Sequence, residues 1–158
     1  MLIVWHSRTG AAAQLARAVH DGAGGAVGAR LLRAEDAAPE DLLAARVTVF
    51  ACPENLGALS GAMKEFFDRS YYPVLGRIEG RGYATVIAAG SAGQGAEAQI
   101  DRIVTGWRLR RVQEGMIVNL GAQTPEAILA PKQVDETALQ KCRDLGQALA
   151  AGLDIGLF

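Results

Sequence analysis

The sequence predicts an α/β fold, in which one domain spanning residues 1–158 is built on a five-stranded parallel sheet in the order 2-1-3-4-5. Three observations lead to this prediction. Apolar strand-like runs alternate with helical repeats along the chain, as in successive βα units. The central runs are apolar throughout, as in strands covered on both faces, and the second run alternates in polarity, as expected at a sheet edge.

The chain opens with an apolar strand over residues 2–5, followed by a polar turn over 6–10. A first helix is predicted from Gly10 to Asp21, because one apolar stripe recurs at helical spacing. Its members are Ala12, Leu15, Ala16 and Val19. We expect Gly22, Gly24 and Gly25 to end the helix.

The second strand is predicted from alternation at Val27, Ala29 and Leu31. After a turn at Pro39, residues 47–52 form a third strand, which ends at Pro53. A second helix runs from Ser60, which is well placed to cap it, to Arg69. The sequence Tyr71-Tyr72-Pro73 is predicted to break this helix.

The second half of the chain continues the same alternation. A buried strand over residues 83–89 stops at a glycine-rich turn, 90–95, and a helix follows with an apolar face at Ile100, Ile103, Val104 and Trp107. The run from Arg108 to Arg111 is interpreted as the C-terminal end of that helix. The fifth strand covers residues 116–120, and Leu139, Cys142, Leu145 and Leu149 mark a C-terminal helix. The segment 122–134 is a loop with no assigned role.

The turn after the first strand has the composition of an anion site. The first turns of a helix leave backbone N–H groups without partners and carry the positive end of the helix dipole. Hydroxyls of Ser7 and Thr9 add hydrogen bonds, and Gly10 allows close approach of a phosphate. A phosphorylated ligand is therefore one hypothesis. The alternative is that Ser7 or Thr9 only caps the helix.

Composition narrows the function classes. The 16 basic and 17 acidic residues leave a net charge of −1 without a basic stripe, which argues against nucleic-acid binding. No apolar run reaches the length of a membrane span and no signal peptide is evident, so a cytoplasmic protein is expected. The two cysteines, Cys52 and Cys142, lie too far apart to suggest a structural zinc site or a disulfide framework.

Three loops meet at the carboxyl ends of the predicted strands, and their sequences resemble a known superfamily. Ser7-Arg8-Thr9-Gly10 resembles the phosphate loop of flavodoxins. Residues 53–57, Pro-Glu-Asn-Leu-Gly, look like a flavin loop of the flavodoxin and NAD(P)H-dependent FMN reductase superfamily, and residues 60–69 resemble the helix after it. The glycine-rich loop 90–95 matches as well. The resemblance covers nearly the whole chain and implies a flavodoxin-like three-layer sandwich.

The resemblance implies FMN as the cofactor. The phosphate would be held, chiefly by backbone N–H groups, among Ser7, Arg8, Thr9, Gly10, Ala11 and Ala12. The isoalloxazine ring would lie between two further sets of residues, which are Pro53, Glu54, Asn55, Leu56 and Gly57 on one side and Ser91, Ala92, Gly93, Gln94 and Gly95 on the other. Backbone N–H groups of these loops would tune the flavin.

Two departures from the family pattern bear on activity. Ala12 stands where a Thr or Ser is usual, and no Trp or Tyr lies in either flavin loop. An uncovered ring face leaves room for a nicotinamide, which favours an oxidoreductase using NADPH or NADH as co-substrate. Its acceptor would be a small molecule such as a quinone, nitroaromatic or flavin. The alternatives are an electron-transfer module reduced by a partner protein and a binding domain without redox turnover. A homo-oligomer is left open.

Other motifs are given less weight. Residues 93–98 fit the pattern G-x-G-x-x-A but follow the fourth strand, which argues against a dinucleotide-binding domain. No P-loop spacing occurs, and a receiver domain would need acidic residues where His6 and Ser7 stand.

His6 is either a structural residue or a ligand contact, and Cys52 is interpreted as a buried apolar residue. Tyr71 and Tyr72 either form a lip over the site or pack on the sheet, and Asp68 and Arg69 pair with the scaffold.

Overall fold

The computed structural model describes residues 1–24 and 28–158. Their strands are β1 (Leu2–Trp5), β2 (Arg30–Arg33), β3 (Val47–Asn55), β4 (Ala58–Leu59), β5 (Gly82–Ala89), β6 (Arg110–Arg111) and β7 (Met116–Asn119). Their helices are α1 (Ala11–Gly22), α2 (Pro39–Ala44), α3 (Gly61–Val74), α4 (Gln94–Gly106), α5 (Pro125–Leu129) and α6 (Glu136–Asp154).

The main sheet is parallel, in the order β2-β1-β3-β5, with β6 and β7 both beside β5. The predicted order 2-1-3-4-5 is therefore confirmed, with the fifth strand in two pieces. Arg110 and Arg111 pair with the start of β5, and Met116 to Asn119 pair with its end. The predicted edge position of the second strand is also confirmed. Val27, predicted to lie in this strand, and Gly25, predicted to end the first helix, lie outside the described residues.

Apolar side chains on the two faces of the sheet form two separate cores. Phe50 and Val4 belong to one core, with Phe67 of α3 and Ile100 of α4. Ile3 and Val49 belong to the other core, with residues of α1 and α6. The predicted apolar faces of α1 and α6 are buried in this second core, as the helical spacing requires. The result is the three layers that the resemblance implied.

Helix α3 continues through the predicted break and ends at Val74. Pro73 lies in the last turn, where the missing N–H removes only one terminal hydrogen bond. Trp107 stabilises that turn, because its Nε1 donates to the carbonyl of Tyr71 at 3.1 Å and its ring stacks on the Tyr71 ring. Ser60 is the N-cap residue as predicted, but its side chain makes no capping hydrogen bond.

Two other boundaries differ from the prediction. The third strand does not end at Pro53 but extends to Asn55, because Glu54 and Asn55 pair with β4 in an antiparallel hairpin. Only the beginning of the run from Arg108 to Arg111 lies at the end of a helix. Arg108 follows α4 in a left-handed conformation, and the chain then enters β6, where Arg111 pairs with Asp101 and Glu97.

Candidate functional site

A pocket with a cavity volume of about 270 Å³ lies at the carboxyl ends of the parallel strands. Its floor is formed by residues at the ends of β3, β5 and β7, and its sides by the turn after β1 and by the segment 122–134. The lining residues are Ser7, Arg8, Thr9, Ala11, Ala12, Pro53, Glu54, Asn55, Ala88, Ala89, Gly90, Leu120, Ala122, Ile128, Leu129 and Lys132. Half of the predicted site residues are in this set.

The turn between β1 and α1 presents backbone donors to the pocket. Gly10 is the N-cap of α1 with φ of 96°, and its N–H donates to Ser7 Oγ at 3.1 Å. Among residues 1–24 and 28–158, no group accepts from the N–H groups of Ala11, Ala12 or Ala13. Neither Ser7 nor Thr9 supplies a side-chain cap, so the helix-cap interpretation of this turn is wrong. The first turn of α1 can therefore accept an external anion.

Arg8 adds a positive charge to the same turn. Its side chain is exposed and lines the pocket. It forms no ion pair with a carboxylate of the described part of the chain. An unpaired guanidinium beside a helix N-terminus increases the local attraction for an anion.

The second loop is a tight hairpin between β3 and β4. Leu56 and Gly57 are its two central residues, and both have positive φ, 53° and 74°. This conformation costs a leucine about 1–2 kcal/mol, and the Leu56 side chain is fully exposed, so no burial offsets the cost. Asn55 and Glu54 line the pocket, whereas Leu56 and Gly57 lie outside its lining.

The second loop, residues 53–57, hydrogen-bonds and contacts the third loop, residues 90–95. Glu54 accepts hydrogen bonds from the N–H groups of Gly93, at 2.9 Å, and Ala96, at 3.1 Å. A Cβ on Gly95 would overlap the carbonyl of Gly57, so the two loops are in direct contact there. At these points the two loops touch, and the N–H of Gly93 is already bonded to Glu54, whereas the predicted position of the ring between the loops stays a prediction.

The third loop contributes to the pocket less than predicted. Gly90 is its one residue in the lining described above, and Ser91, Ala92, Gly93, Gln94 and Gly95 lie outside it. The loop is short, because α4 already begins at Gln94 and packs from there against the sheet through Ala96 and Ile100. A role for these residues in ligand binding stays a prediction.

The segment 122–134 contains site residues that the sequence analysis missed. Ala122, Ile128, Leu129 and Lys132 form one wall of the pocket. The Lys132 N–H donates to the carbonyl of Thr9 at 2.7 Å, which fixes the segment to the first turn. Lys132 Nζ donates to three carbonyls at the end of α5, namely those of Ala127, Ile128 and Ala130. Two prolines around an apolar pair, Ile128-Leu129, were the available signal.

His6 lies beside the pocket and belongs to a polar cluster under the first two loops. Its Nδ1 is 2.9 Å from Ser60 Oγ, and its Nε2 is 3.9 Å from Glu35 Oε1. Burial lowers the pKa of His6, Glu35 opposes this effect, and Arg33 and Arg8 add to it. His6 is not part of the pocket lining, which agrees with the structural interpretation. The Ser60 hydroxyl is thus bonded to His6 and not to a backbone N–H of α3.

The remaining candidates take structural positions. Cys52 is completely buried, which confirms its interpretation as a buried apolar residue, and this burial raises the pKa of its thiol to about 12. Tyr71 packs on Trp107, Tyr72 is exposed on α3, and neither lines the pocket of its own chain, whereas a lip supplied by a neighbouring subunit stays a prediction. Arg69 donates to the carbonyls of Ala34 and Ala37, which confirms its scaffold role.

The fold and site define a doubly wound α/β protein whose pocket lies at the carboxyl ends of its strands, beside a helix N-terminus. No family model matches the chain. A flavodoxin from Aquifex aeolicus (strain VF5) is 28% identical over 95% of this chain and 84% of its own length. The comparison with solved structures agrees. A flavodoxin from the domain Archaea superposes with a TM-score of 0.76 at 16% identity, covering 97% of both chains.

A WrbA-like flavodoxin from Agrobacterium tumefaciens also superposes, with a TM-score of 0.67 at 21% identity over 95% of this chain and 94% of that one. The chain therefore has the flavodoxin-like fold that the sequence motifs predicted, and its sequence is similar to that of a flavodoxin. Over the described ranges, no helix combines the length and apolar character that a bilayer crossing needs.

Proposed function

We propose that this protein binds FMN and acts in electron transfer. The observation that carries the proposal is the set of backbone N–H groups at Ala11, Ala12 and Ala13, which have no acceptor in the described chain and lie beside Arg8 and a mainly apolar pocket. A phosphate group needs such donors, and a planar ring needs such walls. Similarity to flavodoxins adds independent support.

The residues present fit this cofactor. Ser7, Thr9 and the N–H groups of the first turn of α1 would hold the phosphate, with Arg8 as a counter-charge. Pro53, Ala88 and Leu120 offer apolar surface on the sheet side, and Ile128 and Leu129 offer it on the wall. Leu56 adopts an unfavourable, exposed conformation next to Asn55, which supports a ligand-covering role for the hairpin tip.

Bound flavin supplies reversible one- and two-electron chemistry, and the protein supplies binding, orientation and electrostatics. The first turn neutralises the phosphate charge and anchors one end of the ligand. Glu54 holds the hairpin against α4, so that the loop keeps one position relative to the pocket. The apolar side chains of the walls give a planar ring a surface to pack against. None of these tasks requires a side-chain acid or nucleophile.

This function can take two forms. The first is an electron-transfer module, which is favoured because the chain is similar to flavodoxins. The second is an NAD(P)H-dependent oxidoreductase that passes electrons to a small-molecule acceptor. Its support is that the pocket lining holds no aromatic side chain, which leaves the ring free to contact a nicotinamide. The acceptor, a homo-oligomeric state and cytoplasmic residence stay predictions.

Two measurements test the proposal. Titration of the purified protein into FMN should quench flavin fluorescence with micromolar affinity or tighter, and absence of binding would refute the function. Stopped-flow mixing of the FMN-loaded protein with NADPH or NADH separates the two forms. Flavin bleaching within seconds supports the oxidoreductase, whereas no bleaching with either nucleotide favours the electron-transfer module.

A further inference from the structure

The side-chain amide of Gln14 connects the first turn of α1 to the wall of the pocket. It uses both of its N–H donors and one of the two lone pairs on its oxygen. Its Nε2 donates to the carbonyl of Lys132 at 2.7 Å and to the carbonyl of Gly10 at 3.2 Å. Its Oε1 accepts from the N–H of Val134 at 3.2 Å. The side chain is half-buried and does not belong to the pocket lining. Gln14 therefore touches both sides of the site without facing the cavity.

These bonds determine how the peptide groups of the first turn are oriented. The Gly10 carbonyl accepts from both the side chain and the main-chain N–H of Gln14, and the Thr9 carbonyl accepts from the Lys132 N–H. A trans peptide is planar, so its carbonyl and N–H point in opposite directions. Holding the Gly10 carbonyl on the Gln14 side directs the N–H of Ala11, which lines the pocket, away from that side.

The same residue holds the wall in place. The residues from Lys132 to Val134 connect α5 to α6, and Gln14 binds the backbone at both ends of this short stretch. Ile128 and Leu129, only a few residues earlier, face the pocket, and Lys132 Nζ holds the end of α5. The Gln14 side chain thus links the first turn to the apolar wall, in addition to the main-chain bond from the Lys132 N–H to the Thr9 carbonyl.

We propose that Gln14 is a positioning residue for the phosphate site, which orients the first-turn N–H groups and fixes the wall segment to them. The inference rests on the proposed function, because the anion concerned is the phosphate of FMN. It assigns a role to a residue that touches neither the ligand nor the reacting atoms. The phosphate contribution to binding should then depend on Gln14, whereas binding of the ring should depend on it much less.

The test compares FMN with riboflavin, which has the same ring system but no phosphate. Both ligands are titrated by fluorescence quenching against the wild type and Gln14→Leu. We expect FMN affinity to fall about tenfold in the variant and riboflavin affinity to stay within about twofold, since the hydrogen bonds lost serve the phosphate site. Gln99→Leu is the matched control. It removes the bond from the Leu59 N–H to Gln99 Oε1 in the second loop and should leave the ratio of the two affinities unchanged.

Gln14→Glu provides a second variant in case Gln14→Leu does not fold, which a thermal melt followed by circular dichroism would reveal. It keeps the acceptor for Val134 but places carboxylate oxygen against the Gly10 and Lys132 carbonyls, and it should also lower the preference for FMN. An equal loss for both ligands, or no loss for either, would overturn the role of Gln14. Failure of the wild type to bind FMN would instead refute the proposed function itself.

Discussion

The two strand-to-helix turns at residues 7–12 and 90–95 share one backbone design but end in different states. Each has a glycine N-cap with positive φ, 96° at Gly10 and 111° at Gly93, and neither helix has a side-chain cap from its own turn. At α4 the carboxylate of Glu54 accepts from two N–H groups. At α1 the hydroxyl of Ser7 accepts from the Gly10 N–H, but no group of the described residues accepts from the N–H groups of Ala11, Ala12 or Ala13. Similar local geometry therefore creates two anion sites, and the protein supplies its own anion to only one of them.

This difference shows that a glycine-rich turn does not by itself identify a ligand site. Both helix N-termini favour negative charge for the same electrostatic reason. What separates them is the residue that reaches them from a neighbouring strand. Glu54, at the end of β3, lies between the two turns and binds the one after β5. Substitutions in either turn can remove this difference or measure its size.

The largest effect is expected when the first turn is given an anion of its own. In Thr9→Asp, the new carboxylate lies beside the free N–H groups and competes with a phosphate, so FMN affinity should fall about a hundredfold, equivalent to about 2.7 kcal/mol. Fluorescence titration measures the loss. Thr9→Asn has the same shape without the charge and should cost far less. Equal losses in the two variants would contradict the electrostatic explanation.

The reverse change removes the anion of the third turn. In Glu54→Gln, one of the two hydrogen bonds to the α4 N-terminus is lost along with the charge, and the free energy of unfolding should fall by about 2 kcal/mol. Urea denaturation gives this value. The control is Glu65→Gln on the exposed face of α3, where we expect a change below about 0.5 kcal/mol. A Glu54 effect no larger than the control would show that the turns do not differ as described.

Arg8 provides a finer test of the charge at the first turn. Arg8→Gln should weaken FMN binding about fivefold at low salt, because an exposed guanidinium contributes modestly and is screened. Titrations at low and high ionic strength should converge for the wild type and the variant. Riboflavin binding should be insensitive to the substitution at either salt concentration. A loss that persists undiminished at high salt would point to a contact other than charge.

The smallest effect concerns His6, which lies just before the first turn. Its folded-state pKa is lowered, chiefly by burial, so the unfolded chain takes up a proton at a higher pH than the folded one. Stability should therefore be unaffected by His6 above the ordinary histidine pKa and should decline as the pH falls below it. Denaturation curves at several pH values should show a shallower decline in His6→Gln. An unchanged slope would contradict the assignment.

Some of the site could be predicted from the sequence. The strand, turn and helix at residues 2–21 were recognised because the apolar spacing of Leu15, Ala16 and Val19 reflects contacts within one helix. The wall at Ile128 and Leu129 was not recognised, since α5 is too short for a periodic pattern and its side chains face a cavity formed by other elements. Helix α3 passed through Pro73 because Trp107, distant in sequence, supports its last turn.

The sequence by itself determined the alternation of strands and helices, the order of the sheet, and the position of the first turn at its carboxyl edge. These features depend on apolar periodicity and turn residues, which act over a few positions. Only the tertiary structure decided where the polar groups bind. Glu54 bonds a residue 39 positions away and Gln14 a residue 118 positions away, and such partners are chosen by the packing of whole elements. For this reason one glycine-rich turn is closed by the protein and the other is open to a ligand.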